Sequence, residues 1–420
     1  MREWVSRGRA AVEGRSVPDE VTRQAALACI GKLRAVRSAG QTPVSPSGAI
    51  ATLTHALSEG ETSDKVWIVD SDAELAPPPS RDPASKRKRS RKPVPLASAI
   101  VTWFRSAPAR ERPLLYLLHS PTLRGVLSAG IEAAGLRDAQ DAQDAQDAQD
   151  AQDARAGRRG IFVNDATIWS PDRLQRVRPE LPLWLAAQAE WLPYDPASAQ
   201  ELKALLCAAL DALYVRGESG FCYLSAHEAP HAPSRALTRS DARNAFKGMY
   251  RLRTLPDTNP PYVVRLCGAG RALANVLEAA RWLQLDWGVA CEVWSCPSYT
   301  RLAREAGEAE RMALQRPDHI ANEAHLVQCL GDGSAPVLAV TGYARHIANQ
   351  IGAFVPARFA ALGSDDADIG DATDESGERL STGDAPGVRW IVLNALRLLV
   401  DEGTLPRTRI ADATRRYGVV

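Results

Sequence analysis

Apolar residues recur along this chain in two rhythms, and where the rhythm stops the sequence turns dense in proline, serine and charge. Ala25, Ala26, Leu27, Ile30 and Leu33 share one face of a helix-prone segment within residues 1–40. Ile50, Leu53 and Leu57 again fall at helical spacing and lead into Val66–Val69, a short run that predicts a buried strand. Leu114–Leu118, Ile161–Val163 and Phe221–Leu224 predict three further strands, and Ser198–Tyr214 a long helix. From Pro261 the alternation is regular. Strands are expected over Val263–Cys267, Ala290–Trp294 and Val337–Thr341. Helices are expected over Arg271–Leu283, Tyr299–Glu310, Ala344–Ile351 and finally Ile391–Val400. Such alternation places the chain in the α/β class, with a parallel-rich sheet covered on both faces.

Two stretches cannot bury apolar surface. Residues 77–92 hold three consecutive prolines and then Lys86–Lys92, six of whose seven residues are basic, which predicts a solvated loop. Residues 138–155 hold five Asp-Ala-Gln triplets and a closing Asp-Ala-Arg. A period of three drifts around a helix instead of keeping to one face, so this segment is read as an insertion without a docking stripe. The stretch Ala226–Leu237, with two prolines and two histidines, reads as a connecting arm.

Composition narrows the function classes. The 420 residues suffice for two or three domains, with 45% apolar and 24% charged residues. Lysine plus arginine number 51 against 50 acidic residues, so the net field gives no long-range pull toward nucleic acid or an anionic membrane, and neither is an expected partner. The seven cysteines are scattered without the paired spacing of a zinc site and read as buried thiols of a reducing compartment. Met1–Arg9 has no continuous apolar run, and no later stretch is apolar for the length of a membrane span, so a cytoplasmic protein is expected.

Six short motifs stand in order through the C-terminal region: Gly248–Leu252, Leu266–Gly270, Asp286–Ala290 with Val293–Ser295, Tyr343–Pro356, Leu362–Asp365 and Ala395–Gly403. Together they resemble the C-terminal domain of homodimeric-type pyruvate dehydrogenase E1, a transketolase-like enzyme of the thiamine diphosphate superfamily. Trp191–Pro196 resembles the Tyr-Asp-Pro turn of that family's middle domain, which binds the aminopyrimidine of the coenzyme. Phe221–Leu224 and Ile50–Val69 resemble strand and helix of the same domain. The resemblance implies an N-terminal helical extension over 1–40, a degenerate pyrimidine-type domain over 41–230 with insertions at 77–92 and 138–155, a linker arm over 231–260, and a transketolase C-terminal-like domain over 261–420.

The family's chemistry needs a carboxylate on the aminopyrimidine, a magnesium ion held by a separate diphosphate domain, and proton-shuttling histidines. The family's catalytic Asn-Glu pair aligns with Pro95–Ala99 before Trp103, which puts Leu96 where the carboxylate would stand. Leucine cannot hydrogen-bond the ring. Only residues 1–40 precede the middle domain, so the diphosphate domain is expected to be missing. No catalytic, coenzyme-binding or metal-binding residue is therefore assigned, and thiamine diphosphate with magnesium is expected only if a partner completes the site.

Three other features have ordinary structural readings. Gly331-Asp332-Gly333 reads as a turn, and Gly268-Ala269-Gly270 as a tight βα turn lacking the third glycine of a dinucleotide fingerprint. His227 and His231 read as solvated arm residues. The leading expectation is a non-catalytic E1-like protein forming a homodimer, or a heterodimer with an E1-type chain. The alternatives are one half of a split thiamine diphosphate enzyme, and an interaction module using the basic loop and the acidic repeat as charged handles.

Overall fold

A computed structural model describes residues 18–36, 45–70, 112–118, 126, 159–165, 181–227, 236–255, 260–316, 323–331, 333–366 and 385–418. The insertions at 77–92 and 138–155, Leu96 and His231 lie outside these residues. Two five-stranded sheets organise the rest. The first holds β1 (Trp67–Asp70), β2 (Leu114–Leu118), β3 (Arg159–Asn164), β4 (Trp191–Tyr194) and β5 (Gly220–Ser225), in the order β1-β2-β3-β5-β4 and all parallel. The second holds β6 (Tyr250–Arg253), β7 (Val263–Gly268), β8 (Ala290–Ser295), β9 (Val337–Val340) and β10 (Phe359–Leu362), in the order β10-β9-β7-β8-β6. Of these strands, the edge strand β6 alone runs antiparallel, against β8.

The interior strands β2, β3 and β5 are buried almost throughout, as expected of parallel strands covered on both faces. One face of the first sheet is covered by α1 (Glu20–Ala35), α2 (Pro46–Ser58) and α4 (Ala199–Leu210), where Leu33, Leu53, Leu57, Leu205 and Leu224 share a core. Each of these helices starts at a side-chain cap, Asp19, Ser45 and Ser198 respectively. The far face of the second sheet is covered by α6 (Ala272–Trp287), α10 (Val388–Asp401) and α11 (Thr408–Tyr417). Here Val276, Leu283, Leu396 and Leu399 pack on Leu266 and Leu338.

Between the sheets lies a core drawn from both. Tyr116, Phe162, Trp191 and Phe221 from the first sheet form an aromatic cluster with ring centroids 5.0–5.5 Å apart. The same core continues into Cys267, Trp294 and Val337 of the second sheet. It also takes in α3 (Leu181–Ala186), α7 (Tyr299–Gln315), α8 (His325–Leu330) and α9 (His346–Asn349) through Leu185, Leu302, Leu326 and Ile347. Because the two halves share this core, separating them would expose aromatic surface to water.

The stretch expected to be a linker arm is ordered structure where it is described. Thr238 and Asp241 form a reciprocal capping box that starts α5 (Arg239–Lys247), and Gly248, at φ 116°, stops it. A Cβ on Gly248 would press into Leu302 and the Ser298 carbonyl, so the chain enters β6 through a gap only glycine fits. The seven cysteines are free; six are buried and Cys329 is half-buried.

Candidate functional site

The carboxyl ends of β4 and β5 meet the carboxyl ends of β7, β8 and β9. In the second sheet this is the point where strand order reverses, with β7 leading outward to β8 and the chain then returning past it to β9. Open α/β sheets ordinarily receive ligands in that crevice. Here it receives the Tyr194-Asp195-Pro196 turn. The Asp195 N–H donates to the Pro297 carbonyl at 2.7 Å, and the Gly270 N–H donates to the Asp195 carbonyl at 3.0 Å. Gly270 has φ 48°, and a Cβ there would fall on the Asp195 carboxylate. The Gly268–Gly270 turn is thus a tight βα turn, and a carboxylate occupies the space a phosphate would need.

The Asp195 carboxylate is engaged from the other side as well. Ser225 Oγ donates to Asp195 Oδ1 at 2.5 Å, and His227 Nε2 lies 3.1 Å from the same oxygen. His227 is 2% exposed, which overturns its reading as a solvated arm residue. Pairing with Asp195 offsets the cost of burying the imidazole, a tertiary contact that the local proline-rich sequence conceals. His227 Nδ1 has no partner among the described residues. The order of contacts differs from that of a hydrolytic triad, because the serine hydroxyl points at the carboxylate and not at the imidazole. Ser225 is therefore not aimed at a base that could activate it. Tyr343, buried behind Ser225, has its phenol pushed far above the ordinary value, first by burial and then by the Asp195 charge. It stays protonated.

A second carboxylate closes the joint from the helix side. Glu201 sits in the first turn of α4, three residues after the cap Ser198, whose Oγ accepts from its N–H at 3.2 Å. Its Oε1 accepts from Tyr250 Oη and Ser295 Oγ, both at 2.5 Å, and its Oε2 from the Ala197 N–H at 2.7 Å. Desolvation raises the Glu201 carboxyl above its ordinary 4.5, partly offset by these donors. Nearby, Ser298 Oγ donates to the Pro193 carbonyl at 2.7 Å. Arg304 of α7 binds the carbonyls of Ala186, Gln188, Ala189 and Trp191, which fastens the end of α3 to the second sheet's helices.

The fit to thiamine diphosphate can be judged on this geometry. Asp195 and Glu201 are both occupied by protein donors, and Glu292, the other buried carboxylate of this half, pairs with Arg251 and Arg265 at 3.1 Å. The cavity left between Tyr194, Tyr223, Ser298 and Tyr343 measures about 20 Å³, room for one water and far below a coenzyme ring. Among the described residues no group of three or more His, Cys, Asp or Glu side chains could hold a metal ion. The joint residues do not fit the coenzyme. A further pair, Cys329 and His325, approaches to 3.5 Å, but His325 Nε2 already meets the Met249 carbonyl at 2.9 Å, and burial pushes the Cys329 thiol up to about 12. It offers no thiolate.

Residues 248–366 match the family model of the transketolase-like TK C-terminal domain. The pyruvate dehydrogenase E1 component of Cupriavidus necator is 34% identical over 239 residues, 56% of this chain and 26% of that protein. The Escherichia coli K12 protein of the same name is 30% identical over 231 residues, 54% of this chain and 25% of its own. The C-terminal half of this chain is E1-like and transketolase-type. The chain spans about a quarter of the length of these curated relatives. Transketolase from Leishmania mexicana superposes with a TM-score of 0.55 at 15% identity, over 91% of this chain and 50% of that one. That from Campylobacter jejuni superposes at 0.51 and 13% identity, over 88% and 49%. These likenesses show a transketolase fold.

Several of the motifs that carry the E1 likeness meet at the joint. Tyr250, Ser295, Gly270 and the Tyr194–Pro196 turn each stand in one of them, and each holds the two sheets together. The residues missed by sequence reading are Glu201 and Ser225. The Ser-x-x-Glu spacing of Ser198 and Glu201 marks a helix start, which accounts for Glu201 without calling on any distant partner.

Proposed function

We propose that this protein is a non-catalytic relative of the pyruvate dehydrogenase E1 component, a cytoplasmic protein that keeps the two-sheet E1 body and its self-association without thiamine diphosphate chemistry. The observation that carries this reading is the closed joint: each carboxylate beside the cavity is bound by protein donors, and the cavity between Tyr194 and Tyr343 holds about 20 Å³. The alignment of Leu96 with the family's catalytic glutamate supports it. No helix among the described residues is long and apolar enough to cross a membrane. The test is isothermal titration of the purified chain with thiamine diphosphate and magnesium. No binding in the micromolar range is expected, and micromolar binding by the lone chain would end the reading. Self-association is checked by native mass spectrometry, where a dimer, or a mixed dimer with an E1-type chain, is expected.

One observation favours a second reading, completion of a site by another chain. Among the described residues His227 Nδ1 is buried without a donor or acceptor, a group a partner could satisfy. Oxoacid turnover that needs both this chain and a chain supplying a diphosphate domain, and that is lost in His227→Ala, would establish it. No turnover with such a partner removes it.

A further inference from the structure

A cleft of about 1050 Å³ lies away from the joint, between the end of α1, the outer face of α4 and the start of α5. Its charge is one-sided. Arg34, Lys203, Arg239 and Arg243 line it, and the acidic residue of the lining, Asp211, is taken by Arg216 at 2.9 Å. Lys203 Nζ donates to the Val36 carbonyl at 2.9 Å, which holds it at the cleft without neutralising it. Among the described residues, neither a hydrogen bond nor an ion pair ties down the guanidinium of Arg34, Arg239 or Arg243. On a chain with a formal net charge of +1, three such arginines around one cleft are a local concentration of positive charge. The floor is apolar, formed by Val36, Ala208 and Leu237 among others.

We propose that this cleft binds a small organic phosphate, such as a nucleoside diphosphate. Planar guanidinium forks suit the oxygens of phosphate, which accept paired hydrogen bonds from each fork. The apolar floor suits the flat or aliphatic part of the same molecule, and the volume matches a ligand of that size. The start of α5 does not supply the site, because Thr238 and Asp241 already cap each other there at 2.9 and 3.0 Å. Side chains from three helices do. None of the four cations takes part in the Asp195 or Glu201 networks, so the inference stands apart from the reading of the joint.

The experiment is isothermal titration of the full chain, at fixed ionic strength, with adenosine 5′-diphosphate, pyrophosphate, adenosine and a short acidic peptide. Saturable binding of the diphosphate is expected, weaker binding of pyrophosphate, and none of adenosine. Both arginines of α5 are exposed, so Arg239→Ala/Arg243→Ala should fold, and it should weaken the diphosphate about tenfold or more. Arg239→Lys/Arg243→Lys, which keeps charge and loses the fork, should fall between. Arg415→Ala, outside the cleft, should change nothing. Equal binding of adenosine and its diphosphate, an unaltered double variant, or tighter binding of the acidic peptide than of the diphosphate would each overturn the proposal.

Discussion

The two halves of the joint solve one problem in different ways. Around Glu201, a buried carboxyl collects three donors from Tyr250, Ser295 and Ala197, and nothing is left over. Around Asp195, a hydroxyl and an imidazole crowd onto one oxygen, the second ring nitrogen goes without a partner among the described residues, and fit depends on a glycine with no Cβ. The first half is held by satisfied polarity, and the second by shape. A buried network with every member paired specifies one geometry, whereas a steric fit tolerates any change that makes room.

Substitutions can break this contrast. Glu201→Ala has the largest expected effect, about 3–5 kcal/mol of lost stability, because it orphans two buried hydroxyls and opens a void. Urea denaturation measures it, and a loss under about 1 kcal/mol would show that the network is not a fastener. Gly270→Ala comes next, at about 2–4 kcal/mol, from a strained left-handed backbone and the collision with Asp195. Here the cycle matters more than the single value. In an Asp195→Ala background the same change should cost at least about 1 kcal/mol less, and strict additivity would remove the steric account.

The Glu201 carboxyl also predicts a pH dependence of defined sign. Its folded value is raised above the ordinary 4.5 by burial, so the folded protein holds a proton that the unfolded chain has released. Its contribution is fully present below about 4.5 and falls as pH rises through the folded value, with a slope of up to about 1.4 kcal/mol per unit. Glu201→Gln should flatten that slope in denaturation series run from pH 4 upward, and an unchanged slope would assign it to other groups. The smallest effect is expected of His227→Asn, about 1 kcal/mol, because one hydrogen bond to Asp195 is exchanged for another. A loss comparable to that of Glu201→Ala would place the histidine among the fasteners.

Much of the second sheet is legible in the order of residues alone. Val263–Cys267, Ala290–Trp294 and Val337–Thr341 coincide with β7, β8 and β9 within a residue or two, because buried parallel strands show as mainly apolar runs, broken here only by Arg265 and Glu292, which pair with each other at 3.1 Å. The weaker elements are not legible in that way. β4 is four residues containing a proline, and β6 is half-exposed with two arginines, so neither carries a strand pattern of its own. The pairing partners β5 and β8 impose them. At the joint, the motifs themselves are readable, and their purpose is not. Tyr250 and Ser295 look like scattered polar residues until both hydroxyls are seen on Glu201, 49 and 94 residues away.

The sequence by itself determined the periodicities, and with them the α/β class, the helix start at Ser198, and the E1-like register of motifs in the C-terminal half. Those are local properties, fixed by spacing and by side chains that bond their own backbone. Tertiary structure alone decided that His227 is buried, that Asp195 fills the crevice of the second sheet, and that four cations from three helices face one cleft. Each depends on contacts between segments far apart in the chain, whose free energy exists only once those segments have folded together.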